Sequence, residues 1–400
     1  MNSLIDNKEA VDKSVGAGDG PNSDEWLDAL VTEVEQRRDE FDRLTYVPRD
    51  VVASMKRARI FRASTPKCFG GDALPPSQFL RMVERISQAD GSAGWVAAFG
   101  SSGTYLAGLP KETQRKIYAT GPDQVFAGGL YPLQLARPAN GGWLASGRWR
   151  FASGCMGADW IGVGLRLPPA DGETPRSSPP VPVMAVCPAS EVEIIKNWNV
   201  VGMQGTGSHD TQVHDKFYPY DWTCERGTGS LIDEPLFRYP TLPFQAQVHA
   251  VVNVGLARAA LDILVNMASA EKIMPGAPSL GDRAYYRTEL ARAEATWRSV
   301  RLYFYDAADR AWEVVLAGDP VSPQLEADLR LSAIYAAQAS ASVVQLAYRI
   351  AGMSAIERTH RLQHIVRDTM VVTQHAAVNE SNYDTVGGML LGRRLGLTKA

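Results

Sequence analysis

The sequence predicts an α+β protein built in three blocks: helices, then strands, then a helical bundle. Two observations carry that prediction. Apolar residues recur with a helical period from Asp24 to about Thr120 and again from about Pro243 onward, while between Gly121-Pro122 and about Gly229 the period falls to two. The late helical segments are also long, whereas the alternating runs are short and bounded by Gly and Pro. The predicted boundaries are a flexible polar tail at 1–23, an N-terminal helical domain at 24–122, a central antiparallel β-barrel or sandwich at 123–229, and a C-terminal four-helix bundle at 230–400.

The elements follow in chain order. "SDEWLDALVTEVEQRRDEFDRL" sets Trp26, Leu27, Leu30, Val31 and Val34 on one stripe, with Ser23 placed to cap the first turn. "PPSQFLRMVERISQAD" opens on a proline pair and carries Phe79, Leu80, Val83 and Ile86 at helical spacing. The apolar "GSAGWVAAFGSSGTYLAGL" and the charged "PKETQRKIYAT" complete the first block. In the middle block, "QVFAGGLYP", "GGWLASGRWRFASG", "DWIGVGLRL", "VPVMAVCP", "VEIIKNWNVVGM" and "DTQVHDKFYP" read as strands, and "LPPADGETPRSSPPVP" as an exposed loop. The stretch "GRWRFASGCMGADW" puts Trp149 and Phe151 on one face and Arg148 and Arg150 on the other, then runs into Ala152, Ser153, Gly154 and Cys155. Small residues at the end of a patterned strand imply a tight turn or something flat against the backbone. Four helical segments close the chain, beginning "FQAQVHAVV", "RAYYRTELA", "PQLEADLRL" and "RLQHIVRDT"; their Ala-rich faces suit an antiparallel bundle and packing between subunits.

Composition narrows the function classes. At 400 residues and 45% hydrophobic the chain can bury a large core. A net charge of −3, with both signs spread throughout, argues against nucleic acid or an anionic membrane as partner. Four scattered cysteines without a CxxC pair indicate a reducing compartment. With no signal sequence and no uninterrupted apolar run approaching a membrane span, the expectation is a soluble cytoplasmic protein.

The chemistry-bearing motifs are few. "GMQGTGSHD" has the glycines of a phosphate loop, yet it leads into a strand and so lacks the helix N-terminus that would meet the anion. His360 and His364 have metal-ligand spacing without an intervening Glu or a third ligand, and His209 and His214 point opposite ways on a strand. No G-x-S-x-G elbow occurs. The expectation is no metal and no serine nucleophile. His375, late in the last long helix within "VVTQHAAVN", reads by spacing alone as a packing residue.

The block order resembles the acyl-CoA dehydrogenase fold, and specific stretches fit it over nearly the whole chain. "GGWLASGRWRFASG" is similar to that superfamily's strand against the flavin ring, "WNVVGMQGTGSHDTQVHDKFYP" to its later strand pair, "GLARAALD" to the opening of the first bundle helix, and "RIAGMSAIERTHRLQHIVRD" to its Gly-Gly turn and arginine-aspartate helix. Two departures stand out. The glutamate base expected eight residues after Asp368 is replaced by Ala376, preceded by His375, and "AGGLYPLQLARP" replaces an acidic, serine-containing segment. With these departures, "DGSAGWV", "SGRWRFASGC", "VVGMQGTGSHD" and "RDTMVVTQHAAVN" resemble the oxygenase components of two-component flavin-dependent monooxygenases.

That resemblance implies the chemistry. Reduced flavin (FMNH2 or FADH2) would arrive from a separate NAD(P)H-dependent flavin reductase, react with O2 to a C4a-(hydro)peroxyflavin, and hydroxylate an aromatic or phenolic molecule. N- or S-oxygenation, an acyl-CoA dehydrogenase with FAD and a relocated base, or a flavin-binding scaffold that keeps the fold without the chemistry, are the alternatives. By resemblance His375 and Ser153 would be catalytic, with Ser153 donating near flavin N5. Trp149, Phe151, Ser153, Gly154 and Gln374 would bind the flavin, and the Gly352-Met353-Ser354 turn its phosphate. Trp95, Tyr105 and Tyr131 would line the substrate pocket, and the bundle would build a homotetramer.

Overall fold

The computed structural model describes residues 23–168, 181–269 and 278–391. The predicted tail, apart from Ser23, and most of the predicted exposed loop lie outside the described residues.

Six helices come first: α1 (Ser23–Leu44), α2 (Arg49–Arg57), α3 (Pro76–Ala89), α4 (Gly91–Ala98), α5 (Gly103–Leu106) and α6 (Lys111–Ile117). Eight strands follow: β1 (Phe126–Leu135), β2 (Arg137–Ala139), β3 (Gly142–Ala152), β4 (Trp160–Arg166), β5 (Val183–Pro188), β6 (Glu193–Ile195), β7 (His209–Pro219) and β8 (Thr223–Glu225). The last helices are α7 (Pro235–Arg238), α8 (Thr241–Ala268), α9 (Ala284–Leu316), α10 (Pro323–Ala351), α11 (Arg361–Val372) and α12 (Asn382–Leu390).

The strands form two four-stranded sheets, ordered β1-β4-β5-β8 and β2-β3-β7-β6. They pack as an open sandwich rather than a closed barrel. One pairing departs from the expected antiparallel pattern: β1 runs parallel to β4. The chain leaves the first sheet after β1 to build the β2–β3 hairpin in the second, then returns to the first with β4, so β1 and β4 point the same way. Trp149 of β3 bridges the sheets, its indole N–H donating to the Gly164 carbonyl of β4 at 2.7 Å. A buried indole N–H without a partner would be costly, and this bond satisfies it.

One large apolar cluster runs through all three blocks, from Leu27 of α1 through Val163 of β4 to Val378. At its centre α8 is buried along most of its length, with Arg258 and Asp262 marking the side it turns outward. By length and composition α8 could cross a membrane, contrary to the expectation that no such run exists, yet it is mostly buried inside the fold. Asn253 of α8 donates to the carbonyls of Ala337 in α10 and Thr369 in α11, at 2.8 and 3.2 Å, pinning three helices together. Glu84 of α3 takes Arg301 at 2.6 Å and the Tyr305 hydroxyl at 2.5 Å, both from α9. Those buried contacts lock the first block to the bundle.

The fourth bundle helix is shorter than the sequence pattern suggests. α11 ends at Val372, so His375 lies beyond it, in a run of turns. Gln338 of α10 reaches across to donate to the Thr373 and Val378 carbonyls at 3.4 and 3.0 Å. These carbonyls find their partner in a side chain, which stabilises the turns where a longer helix would have used its own backbone.

Candidate active site

Three segments converge beneath the end of β3. Asp90 precedes α4 and its side chain accepts the Ala93 N–H at 2.8 Å, so capping the helix. This helix carries Trp95 into the interior. β3 ends in a bulge: register with β7 shifts between Trp149 and Ala152, and Phe151 adopts φ +64°. The shift breaks the two-residue period. Trp149 stays inside with no exposed surface, while Phe151 turns out to 55% exposure. The expected shared face is therefore lost, and Trp149 has no surface to offer a ligand at this end of the strand. Phe151 meets Trp198 edge-on, with ring centroids 6.1 Å apart.

Ser153 is buried directly after the bulge. The Trp95 indole N–H donates to its Oγ at 3.1 Å, and its Oγ lies 2.7 Å from that of Ser208. Ser208 Oγ lies 2.7 Å from Thr206 Oγ1, which donates to the Met203 carbonyl at 2.8 Å. Each hydroxyl has one proton, so the order is forced. Thr206 gives its proton to Met203, Ser208 to Thr206, and Ser153 to Ser208. The Ser153 amide N–H is also taken, by the Phe151 carbonyl at 2.9 Å. Ser153 therefore presents an acceptor lone pair, not the donor the resemblance implied.

Two imidazoles face this chain. His249 of α8 stacks on His375 with centroids 4.1 Å apart and planes inclined by 13°, and Trp95 meets both edge-on at 4.5 and 5.2 Å. Burial pulls the His249 pKa down to about 4, and the positive charge of Arg226 acts in the same direction. Burial, then the stacked His249, then Arg226 hold His375 well below the ordinary imidazole range. Both rings are neutral near pH 7. His249 Nδ1 lies 2.5 Å from the Gln245 carbonyl, which can only accept, so Nδ1 carries the proton. His375 Nδ1 accepts the Ala377 amide N–H at 3.3 Å, so its proton sits on Nε2. The rings are opposite tautomers, and His375 presents a donor.

An apolar cavity opens beside the stack, walled by Phe99, Thr104, Tyr105, Phe126 and Met184, with Arg226 at its rim. Phe99 meets His249 edge-on at 6.5 Å, and Gln245 donates to Thr104 at 3.4 Å, so cavity and stack share a wall.

Of the residues expected in the site, Trp95, Ser153 and His375 come together, and Tyr105 lines the adjoining cavity. Gly154, in the left-handed region at φ +75°, follows Ser153 and donates to the Thr206 carbonyl at 2.8 Å. Tyr131 is 53% exposed on β1, outside the cavity lining. Gln374 is exposed, with its amide turned back on Thr373 at 3.3 Å. Gly352, Met353 and Ser354 form the turn from α10 toward α11, with Gly352 at φ +65° and Met353 exposed; they contribute none of the bonds of this cluster.

Other sequence features settle into structural roles. His364 Nε2 lies 2.8 Å from an Asp42 oxygen, and His360 Nδ1 accepts the Leu362 N–H to cap α11. In "GMQGTGSHD", Gly202 packs so closely that a Cβ would stand 2.4 Å from the Arg367 carbonyl, and the next residue, Met203, donates its N–H to Asp368 at 2.5 Å. Burial, with the Asp90 carboxylate adding to it, raises the Asp368 pKa to about 7. Sequence reasoning missed His249, the Thr206–Ser208 relay and Arg226. His249 alone had a signal, an imidazole among the small and apolar residues of the buried half of α8.

Known proteins resemble this chain over nearly its whole length. Residues 247–380 match the family described as acyl-CoA dehydrogenase, C-terminal domain. A crystal structure of 3-HSA hydroxylase from Rhodococcus sp. RHA1 superposes with a TM-score of 0.86 at 24% identity, covering 93% of this chain and 97% of that one, which shows a shared fold. The chain is 45% identical to an indole-3-acetate monooxygenase of Pseudomonas putida over 94% of each protein. It is 39% identical to another of that name from Acinetobacter baumannii, over 92% of this chain and 93% of that protein. The chain belongs to the oxygenase components of two-component flavin-dependent monooxygenases, on the acyl-CoA dehydrogenase-like fold. Within that family it is similar, over nearly its whole length, to the indole-3-acetate monooxygenases.

The cofactors of this class are reduced flavin and O2. The donor set here fits a flavin: one acceptor at Ser153, one neutral donor at His375, and an exposed aromatic edge at Phe151, with no carboxylate hydrogen-bonded into the cluster. A reduced flavin presents a broad tricyclic face, bears N–H groups that need acceptors, and carries carbonyls that need donors.

Proposed function

We propose that this chain oxygenates an indole carboxylic acid of the indole-3-acetate type, inserting one oxygen atom from O2. The single observation carrying this reading is the 45% identity, end to end, to a protein named for that reaction. The aromatic-walled cavity beside the imidazole stack is of the right character for a flat bicyclic substrate.

When bound, reduced flavin supplies the activation of O2 that no side chain can perform. The protein supplies position, dryness and protons. Ser153 Oγ would accept an N–H of the flavin, its own proton being tied into the relay to Met203. His375 Nε2–H would donate a hydrogen bond to the reacting oxygen, and burial keeps the ring neutral so that no positive charge is placed beside it. His249 acts as a positioning residue: anchored by the Gln245 carbonyl, it holds the stack and disfavours an imidazolium next to it. Trp95 and Phe99 keep water from the rings. Ala376, where the dehydrogenase resemblance calls for a carboxylate, leaves no base there for α-proton removal.

The reduced flavin is inferred to come from an NAD(P)H-dependent reductase, and the chain to work as a cytoplasmic homotetramer. Exposed Val265, Leu302 and Leu316 on the bundle helices support assembly, and four free thiols suit a reducing compartment. Light scattering on the purified protein tests the tetramer.

The function is tested by mixing the protein with FMNH2 or FADH2 and indole-3-acetate, then adding 18O2. Expected is a product heavier by one 18O atom, with His375→Ala shifting the outcome from product toward H2O2. Unchanged substrate, with H2O2 accounting for all the flavin oxidised, refutes it.

A further inference from the structure

We infer that Arg226 is the specificity-determining residue that selects carboxylate-bearing aromatics, pairing with the substrate's carboxylate at the rim of the apolar cavity while the ring enters toward Phe99. This deepens the proposed function and rests on it.

Arg226 immediately follows β8, and its backbone N–H is tied to the Pro182 carbonyl at 2.8 Å, so its place on the rim is held by the sheet. Its guanidinium has no ion pair or side-chain hydrogen bond among the described residues, whereas Arg37, Arg62, Arg258 and Arg301 each hold carboxylates. The rest of the wall is mostly aromatic, aliphatic, glycine or hydroxyl. Glu225 also borders the opening, but it is the last residue of β8 and successive side chains along an extended strand diverge. Arg226 lines the same cavity as Phe99 and Tyr105, and its charge also acts on Tyr105, His249 and His375. Guanidinium presents a planar fork that fits a carboxylate in two parallel hydrogen bonds. An unpaired cation on an apolar rim, opposite neutral imidazoles, favours an anionic tail and disfavours a second cation.

The test is equilibrium binding of indole-3-acetate and of neutral indole-3-acetamide to the wild-type chain, R226A and R226K, with FMNH2 binding measured in parallel. The wild type is expected to prefer the carboxylate. R226A should lose about 10- to 100-fold in indole-3-acetate affinity and far less for the amide, with R226K between. A wild type that shows no carboxylate preference, or an R226A variant that keeps it, overturns the inference. So does a loss that falls on FMNH2 instead, since the cavity-rim arginine would then serve the flavin phosphate. If the wild type leaves indole-3-acetate unoxygenated, the proposed function falls. Arg226 is still decided by the same ratio measured with phenylacetate and 4-hydroxyphenylacetate against their amides.

Discussion

His249→Phe removes the titrating ring from the stack while keeping a flat side chain in its place. In the folded protein His249 has a pKa of about 4, pulled down chiefly by burial. In the unfolded chain it returns to about 6.5. A base whose pKa is depressed by folding contributes stability that is present above pH 6.5 and lost as pH falls through 4. The full span of about 2.5 units corresponds to about 3 kcal/mol, of which about 2 kcal/mol is gone by pH 5. Urea unfolding at pH 7.5 and 5.0 reads this directly. Wild type should weaken between the two by about 2 kcal/mol more than His249→Phe, because the variant has no proton to take up there. Histidine NMR on the folded protein provides the second reading, with the His249 ring still neutral near pH 5. An equal loss of stability in both proteins, or a His249 ring that titrates near 6.5, refutes the buried neutral stack.

Three further outcomes follow from the same geometry. Ser153→Ala strands the buried Trp95 N–H and leaves Ser208 Oγ without its donor, so stability should fall by about 1–3 kcal/mol in thermal unfolding, and H2O2 yield should rise at the expense of product. Asp368 has the opposite sign to His249: its pKa is raised to about 7, so its contribution is full below about pH 4 and lost as pH rises through 7. Asp368→Asn should flatten that rising-pH limb by up to about 4 kcal/mol in urea unfolding; an unchanged limb would place the pH dependence elsewhere. Gly94→Ala would set a Cβ 2.0 Å from Ser87 Oγ and 2.8 Å from Ser87 Cα, forcing α3 and α4 apart at a cost of about 1–3 kcal/mol, whereas Gly387→Ala, with open space around it, should be neutral in the same assay.

Much of the fold was legible because it is periodic. The stripes of α1 and α3, the short alternating strands and the long bundle helices report which face is buried, and that is a local property of the pattern. The site was less legible. Phe151 sits two residues from Trp149 and would share its face, but the bulge and a positive φ turn it outward, and nothing in the alternation announces a break in register. The end of α11 was likewise hidden, because its capping group is Gln338, on another helix.

By itself the sequence determined the three-block α+β order, the lack of a carboxylate at Ala376, and the small residues after Phe151 that let Trp95 approach Ser153. Tertiary structure alone decided what the polar groups do. Trp95 and Ser153 are 58 residues apart, and Glu84 meets Arg301 from 217 residues away. His249, in an apolar helix, becomes the partner of His375 only because α8 packs where the chain turns after α11. Hydrogen-bond direction, tautomer and pKa are set by what lies across from a group and by the water excluded around it. These are properties of packing, and no spacing along the chain encodes them.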